Sequence, residues 1–144
     1  MTDPVRRSLI ALRRLRRVRT DEARRDLSEV LGSEAALLAR DAALAEALEN
    51  ARRLTGDFDR DSLAAWRRRV TMERDSLAGA LRDAAARTAA ARDALAAQRA
   101  AETVTADVIA RLAAESASES ERRDQIVLED TSRALGRREA PKGE

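Results

Sequence analysis

Two sets of residues recur every seven positions, and a single break separates them. Val30, Leu37, Leu44, Ala51 and Phe58 form the first set; Leu63, Val70, Leu77, Ala84, Ala91, Gln98, Thr105 and Leu112 form the second. A seven-residue repeat keeps one stripe of a helix turned toward a partner helix, so the pattern points to a coiled coil. The break is Leu54-Thr55-Gly56-Asp57-Phe58-Asp59-Arg60-Asp61-Ser62. Gly56 can take the left-handed conformation that closes a helix. Asp57, Asp59, Asp61 and Ser62 are poor in helix interiors and good at N-caps. The sequence therefore predicts an all-α fold, a long two-helix antiparallel coiled-coil hairpin whose second helix is the longer. The expected bounds are a helix at about 4–54, a turn at about 55–61 and a helix at about 62–135. One domain is expected over 1–136, with a disordered tail at 137–144. The alternative is one continuous rod with a kink.

Details within each arm follow from residue type. Asp3-Pro4 is a good helix start, with Asp3 as N-cap and Pro4 at the first helical position. Leu27 and Leu48 support the first seam, whose partner row is interrupted by Glu34 and Asp41. In the second arm Trp66, Leu81, Leu95 and Ile109 supply the partner row, and the change of offset implies a stutter near Leu77. Gly79 costs that helix about 1 kcal/mol relative to Ala unless close backbone approach near Leu37 or Leu38 compensates. Ser116, Ser118 and Ser120 predict a kink or fraying. Gly136 and Pro141 predict the end of order. The second arm should project beyond the first as a lone helix.

Charge orients the arms. With the turn centred on Phe58, Glu49 meets Arg68, Glu46 meets Arg69 and Arg74, Asp41 meets Arg74, Glu34 meets Arg82 and Glu29 meets Arg87. The arginines from Arg6 to Arg19 then lie beside Glu102, Asp107 and Glu115. Each exposed pair contributes only about 0.2–1 kcal/mol, but together they favour an antiparallel monomer over a parallel dimer that would stack like charges.

The chain has no Cys and no His, 38% charged residues and only Trp66 and Phe58 as aromatics. Thiol and imidazole chemistry are excluded, and little is available to fill a globular core. The Asp57, Asp59, Asp61 cluster lacks the Gly and Glu of a calcium loop and reads as capping. No Gly-rich phosphate loop and no nucleophile with a base is present. Neither an enzyme nor a cofactor or metal site is expected. No apolar run approaches the roughly 20 residues of a membrane span, and the N-terminus lacks the apolar core of a signal peptide, so a cytoplasmic protein is expected.

Two features remain open to several readings. The block from Arg6 to Arg19, interleaved with Leu9, Ile10, Leu12 and Leu15, could meet an acidic protein surface, an anionic membrane surface or nucleic-acid phosphates. It could equally be a solvated face paired with the second arm. The absence of stacking aromatics weighs against nucleic acid. Trp66 fits the seam spacing and could also anchor a protein partner.

Two segments resemble a known family. The run Leu9-Ile10-x-Leu12-x-x-Leu15-x-x-Val18-x-x-Asp21-Glu22-x-Arg24-Arg25 is similar to the opening of the FliJ family of flagellar type III export proteins. Arg122-Arg123-Asp124-Gln125-x-x-Leu128-Glu129-Asp130 is similar to that family's closing pattern. Chain length and the unequal two-helix plan agree. The resemblance implies a stalk that couples the export ATPase (FliI-like) ring to the export-gate protein (FlhA-like) at the flagellar base, on the cytoplasmic face of the inner membrane. It also implies handling of export chaperones. The equivalent YscO-type injectisome stalk, and a generic coiled-coil scaffold or adaptor, remain alternatives. Mapped onto this chain, the ring-facing end would hold Arg13, Arg14, Arg16, Arg17, Arg122, Arg123 and Gln125. The gate-facing surface would hold Leu44, Leu48, Trp66 and Val70; Ala47 and Ala51 stand near where the family carries aromatics.

Overall fold

The structure is a computed structural model that describes residues 3–53 and 59–139. Every described residue except Asp59 is helical. α1 runs Asp3–Arg53 and α2 runs Arg60–Glu139, 51 and 80 residues. The fold is the expected all-α antiparallel hairpin of unequal helices. Residues 54–58, on which Gly56 and most of the expected turn fall, lie outside the described residues, as does the tail from 140 onward.

The start of α2 shows its cap. Asp59 Oδ1 accepts from the Asp61 amide at 3.1 Å, and the Ser62 hydroxyl donates to Asp59 Oδ2. The Asp59 carbonyl accepts the first helical bond, from the Leu63 amide at 3.1 Å. These bonds satisfy amide donors that an uncapped helix start leaves orphaned. They hold the Asp59 carboxyl below its ordinary value, with the Ser62 hydroxyl the largest cause.

Burial follows the seven-residue rows. On α1, Leu9, Arg16, Ala23, Val30, Leu37, Leu44 and Ala51 are buried or half-buried, and so are Thr20, Leu27, Glu34, Asp41 and Leu48. On α2 one row runs from Leu63 through Val70, Ala84, Gln98 and Thr105 to Leu112. The other runs from Arg74 through Leu81, Thr88, Leu95, Glu102 and Ile109 to Ser116. Trp66 follows Leu63 by three residues whereas Arg74 follows Val70 by four. The stutter therefore falls between Trp66 and Arg74, ahead of Leu77.

The chain divides into two units, Val18–Ala100 and Met1–Arg17 with Ala101–Glu144. In the first, Arg67 Nη2 donates to the Ala51 carbonyl at 3.1 Å, Arg74 pairs with Asp41 at 2.8 Å, and Thr88 donates to Glu34 at 2.6 Å. Partners move down α1 as they move up α2, so the helices are antiparallel. Half of the buried apolar residues are alanines (Ala23, Ala51, Ala84), beside Leu44, Val70 and Leu95. An alanine seam lets helices approach while burying little area, so each larger side chain carries a greater share of the stability.

In the second unit, Arg6 lines an open groove of about 400 Å³ with Ala113, Ser116, Ala117 and Ser120. The start of α1 therefore lies beside that part of α2. From residue 121 to residue 137 every described side chain is exposed. This is the lone helical projection expected from the unequal arms.

Several expectations fail. The helix does not fray at Ser116–Ser120 and does not end at Gly136; it continues to Glu139. Ser and Gly lower propensity without forbidding helix, and intrahelical pairs such as Arg123–Glu119 at 3.5 Å and Arg133–Glu129 at 4.0 Å support this stretch. Gly79 has no close backbone neighbour: a Cβ there would meet only Arg82 Nη2 at 3.9 Å.

Of the expected charge pairs across the hairpin, Asp41–Arg74 forms. Glu49 bonds instead to Arg52 and Arg53 within its own helix, at 3.3 and 3.8 Å. Glu34 takes Thr88 in place of Arg82, and Arg87 donates to its own helix at the Asp83 carbonyl, 3.4 Å away. Arg40–Glu73, at 2.6 Å, was not anticipated. The physical reason is rotation. Matching positions by register ignores the angle of about 100° between successive residues, and Glu46 and Asp107 fall on the sides of their helices turned away from the partner.

Candidate functional site

The Arg6–Arg19 segment carries the densest charge of one sign. From Pro4 to Thr20 there are seven arginines and no carboxylate. Helix formation distributes them around α1. Arg16 falls on the seam row and is half-buried; Arg6, Arg13, Arg14, Arg17 and Arg19 are exposed. None of these five exposed guanidiniums makes an ion pair or hydrogen bond among the described residues. The expected pairing with Glu102, Asp107 and Glu115 leaves these five unneutralised, so their charge stays available to an anionic partner.

The second half of the expected ring-facing set lies on the projecting part of α2. Arg122, Arg123 and Gln125 are exposed. Arg123 approaches Glu119 at 3.5 Å, and Gln125 Nε2 donates to Glu129 Oε1 at 3.2 Å. Arg6, in the first turns of α1, lies beside Ala113–Ser120. Arg13 therefore sits opposite a part of α2 roughly 18 Å short of Arg122, at about 1.5 Å per residue. The structure places both sets in one unit without bringing them into one cluster.

The expected gate-facing set splits by burial. Leu44 and Val70 are 7% exposed and belong to the seam. Leu48 and Trp66 are half-buried and keep surface for contact. Leu48 lines an open groove of about 450 Å³ with Asp41, Arg52, Thr71, Arg74 and Ala78. Along this groove Arg74 holds the Asp41 carboxyl below its ordinary value, mainly through their hydrogen bond, and Asp41 raises the Arg74 guanidinium in return.

Sequence reasoning missed the polar character of the seam. Thr20, Thr88 and Thr105 are its most buried polar residues, and Thr20 is 1% exposed. Thr105 donates to the Ala101 carbonyl at 2.8 Å, the back-bond by which a helical threonine satisfies itself. Gln98 Oε1 is buried without a hydrogen-bond partner among the described residues. Gln98 and Thr105 already stood in the seven-residue row, and that was the available signal.

Among the described residues, no group of His, Cys, Asp or Glu could hold a metal ion, and no helix is long and apolar enough to cross a membrane. The geometry is that of a contact surface spread along two helices. Compared with family models, curated proteins and solved structures, the chain finds no match in any of the three.

Proposed function

We propose that this chain is a stalk of a type III protein export apparatus, coupling an export ATPase ring to a membrane export gate. The observation that carries the reading is an unequal two-helix hairpin whose longer helix projects alone while the adjoining segment of the shorter helix bears unneutralised arginines. The resemblance of Leu9–Arg25 and Arg122–Asp130 to the two ends of FliJ-type proteins supports it independently. A pair of packed helices is thin enough to enter the central opening of a ring, where a globule cannot go. Exposed arginines would make many weak, replaceable contacts there, each contributing under about 1 kcal/mol, which permits turning without a fixed lock. Arg13, Arg14, Arg17, Arg122, Arg123 and Gln125 are the proposed ring contacts. Leu48 and Trp66 are the proposed gate contacts, with Leu44 and Val70 packed beneath them. In this reading the protein is not an enzyme, acts as a monomer at the cytoplasmic face of the inner membrane, and meets export chaperones along its length.

The test is stimulation of ATP hydrolysis by the export ATPase of the same cell. Intact protein should stimulate it, and protein lacking residues 1–20 should not. Equal stimulation by both would overturn the reading. A generic coiled-coil adaptor, the second reading, predicts no stimulation by either.

A further inference from the structure

We propose that α1 pairs with α1 of a second copy, antiparallel, through a stripe that the hairpin leaves uncovered. The stripe is Ser28, Leu31, Ala35, Leu38, Ala42 and Ala45, spaced three and four residues apart. Each member follows a seam residue by one position, as Leu31 follows Val30 and Ala35 follows Glu34. One residue turns a helix by about 100°, so the stripe stands nearly at right angles to the seam. A three-and-four spacing free of charge over about 25 Å is the pattern of a second helix contact. The two leucines are exposed, Leu31 at 39% and Leu38 at 55%. On the same side α2 carries Ala78, Ala85 and Ala89, all exposed and too short to cover them. The opposite side of α1, one residue before the seam rows, differs in kind, with Glu22, Asp26, Glu29 and Arg40. All of these residues belong to the unit Val18–Ala100.

The charges at the two ends of the stripe select the occupant. The same spacing continues into Asp21 and Arg24 at one end, and into Glu49 and Arg52 at the other. At both ends the acid comes first and holds its own arginine three residues on, Asp21–Arg24 at 3.0 Å and Glu49–Arg52 at 3.3 Å. A second α1 laid antiparallel, with Leu31 facing Ala42 of the copy, sets Asp21 against Arg52 of the copy and Arg24 against its Glu49. The four charges at each end then alternate in sign. Each leucine meets an alanine, the large-to-small fit that lets facing helices interdigitate. A parallel copy would set Asp21 on Asp21 and Arg52 on Arg52. Sliding the antiparallel copy by seven residues in either direction would set charged residues against apolar ones. The stripe is its own complement in one register, which favours a second copy over an unrelated helix. Arg82, the cation beside the α2 alanines, turns its guanidinium to Gly79 on the outer edge of α2, clear of a contact that runs along α1.

Two exposed leucines per copy make a small contact, of the class that dissociates on dilution. A single copy therefore remains available, as the stalk reading requires. The inference does not rest on that reading, and its test involves no ATPase.

Sedimentation equilibrium of the full chain between roughly 1 and 300 μM should show monomer giving way to dimer. Leu31→Gln with Leu38→Gln should weaken association more than about thirtyfold. Arg24→Glu should weaken it on the order of tenfold, and so should Glu49→Arg, because each sets like charges face to face at both ends of the contact. Mixed together, these two charge variants should associate as tightly as the intact chain, because the altered position of each then faces the opposite charge on the other. Circular dichroism checks that each variant stays helical; if the leucine pair unfolds the chain, the charge variants decide. A chain that stays monomeric throughout that range would overturn the proposal and leave the stripe to a helix of a different protein. Unchanged association by the leucine variant would overturn it too, as would a mixture no tighter than either charge variant alone.

Discussion

Single residues in this hairpin act through local geometry, and two of them make the fold sensitive to acid. The carboxyls of Asp41 and Asp59 are held below their ordinary value of 3.8, by Arg74 and by the Ser62 hydroxyl respectively. A lowered native value means the folded chain resists protonation more than the unfolded chain does. The stability from these groups is therefore present above about pH 4 and is lost as pH falls through their native values. Thermal melts between about pH 5 and pH 2 should show a falling midpoint, with a shallower fall in Asp41→Asn and Asp59→Asn. Gly79 acts in the opposite sense. Its added Cβ would meet nothing nearer than Arg82 Nη2 at 3.9 Å, so Gly79→Ala should stabilise the fold by about 1 kcal/mol, measured by urea unfolding. A drop in stability would mean that close approach of the helices near Gly79 matters after all.

For the helices as elements, the sequence declared much and concealed a specific part. The seven-residue rows identified α1 and α2, and the Asp59 cap was visible as an acidic residue just after a glycine break. Charge matching by register found Asp41–Arg74 and misplaced the rest, because a side chain's angle about its helix decides whether it can cross the seam. Arg40–Glu73 becomes legible only once the seam rows set that angle. The availability of Arg13, Arg14 and Arg17 had the same cause, since Asp107 turns away from α1. Gly136 and the serines at 116–120 misled because local propensity is a weak prior against charge pairs along an established helix. Packing in a seam built half of alanine also predicts a steep penalty at its few large residues. Leu44→Ala should cost about 2 kcal/mol, read from the urea midpoint. An exposed leucine such as Leu38 should cost far less.

At the scale of the whole molecule, stability is unevenly distributed. Residues 121–137 have no half-buried side chain. Removing residues 121–144 should change the free energy of unfolding by less than about 0.5 kcal/mol while lowering the helical circular dichroism signal. A large loss of stability would show that the projection supports the hairpin. The same deletion removes Arg122, Arg123 and Gln125, so it tests the proposed ring contacts of α2 while leaving the hairpin in place.

Arg40 and Asp41 are neighbours on α1, as Glu73 and Arg74 are on α2, and the two ion pairs they form lie at one level on opposite sides of the seam. They brace the unit Val18–Ala100 as two stays brace a mast. Rolling one helix against the other in either sense lengthens one of the bridges, so the two together oppose rolling at this level in both senses.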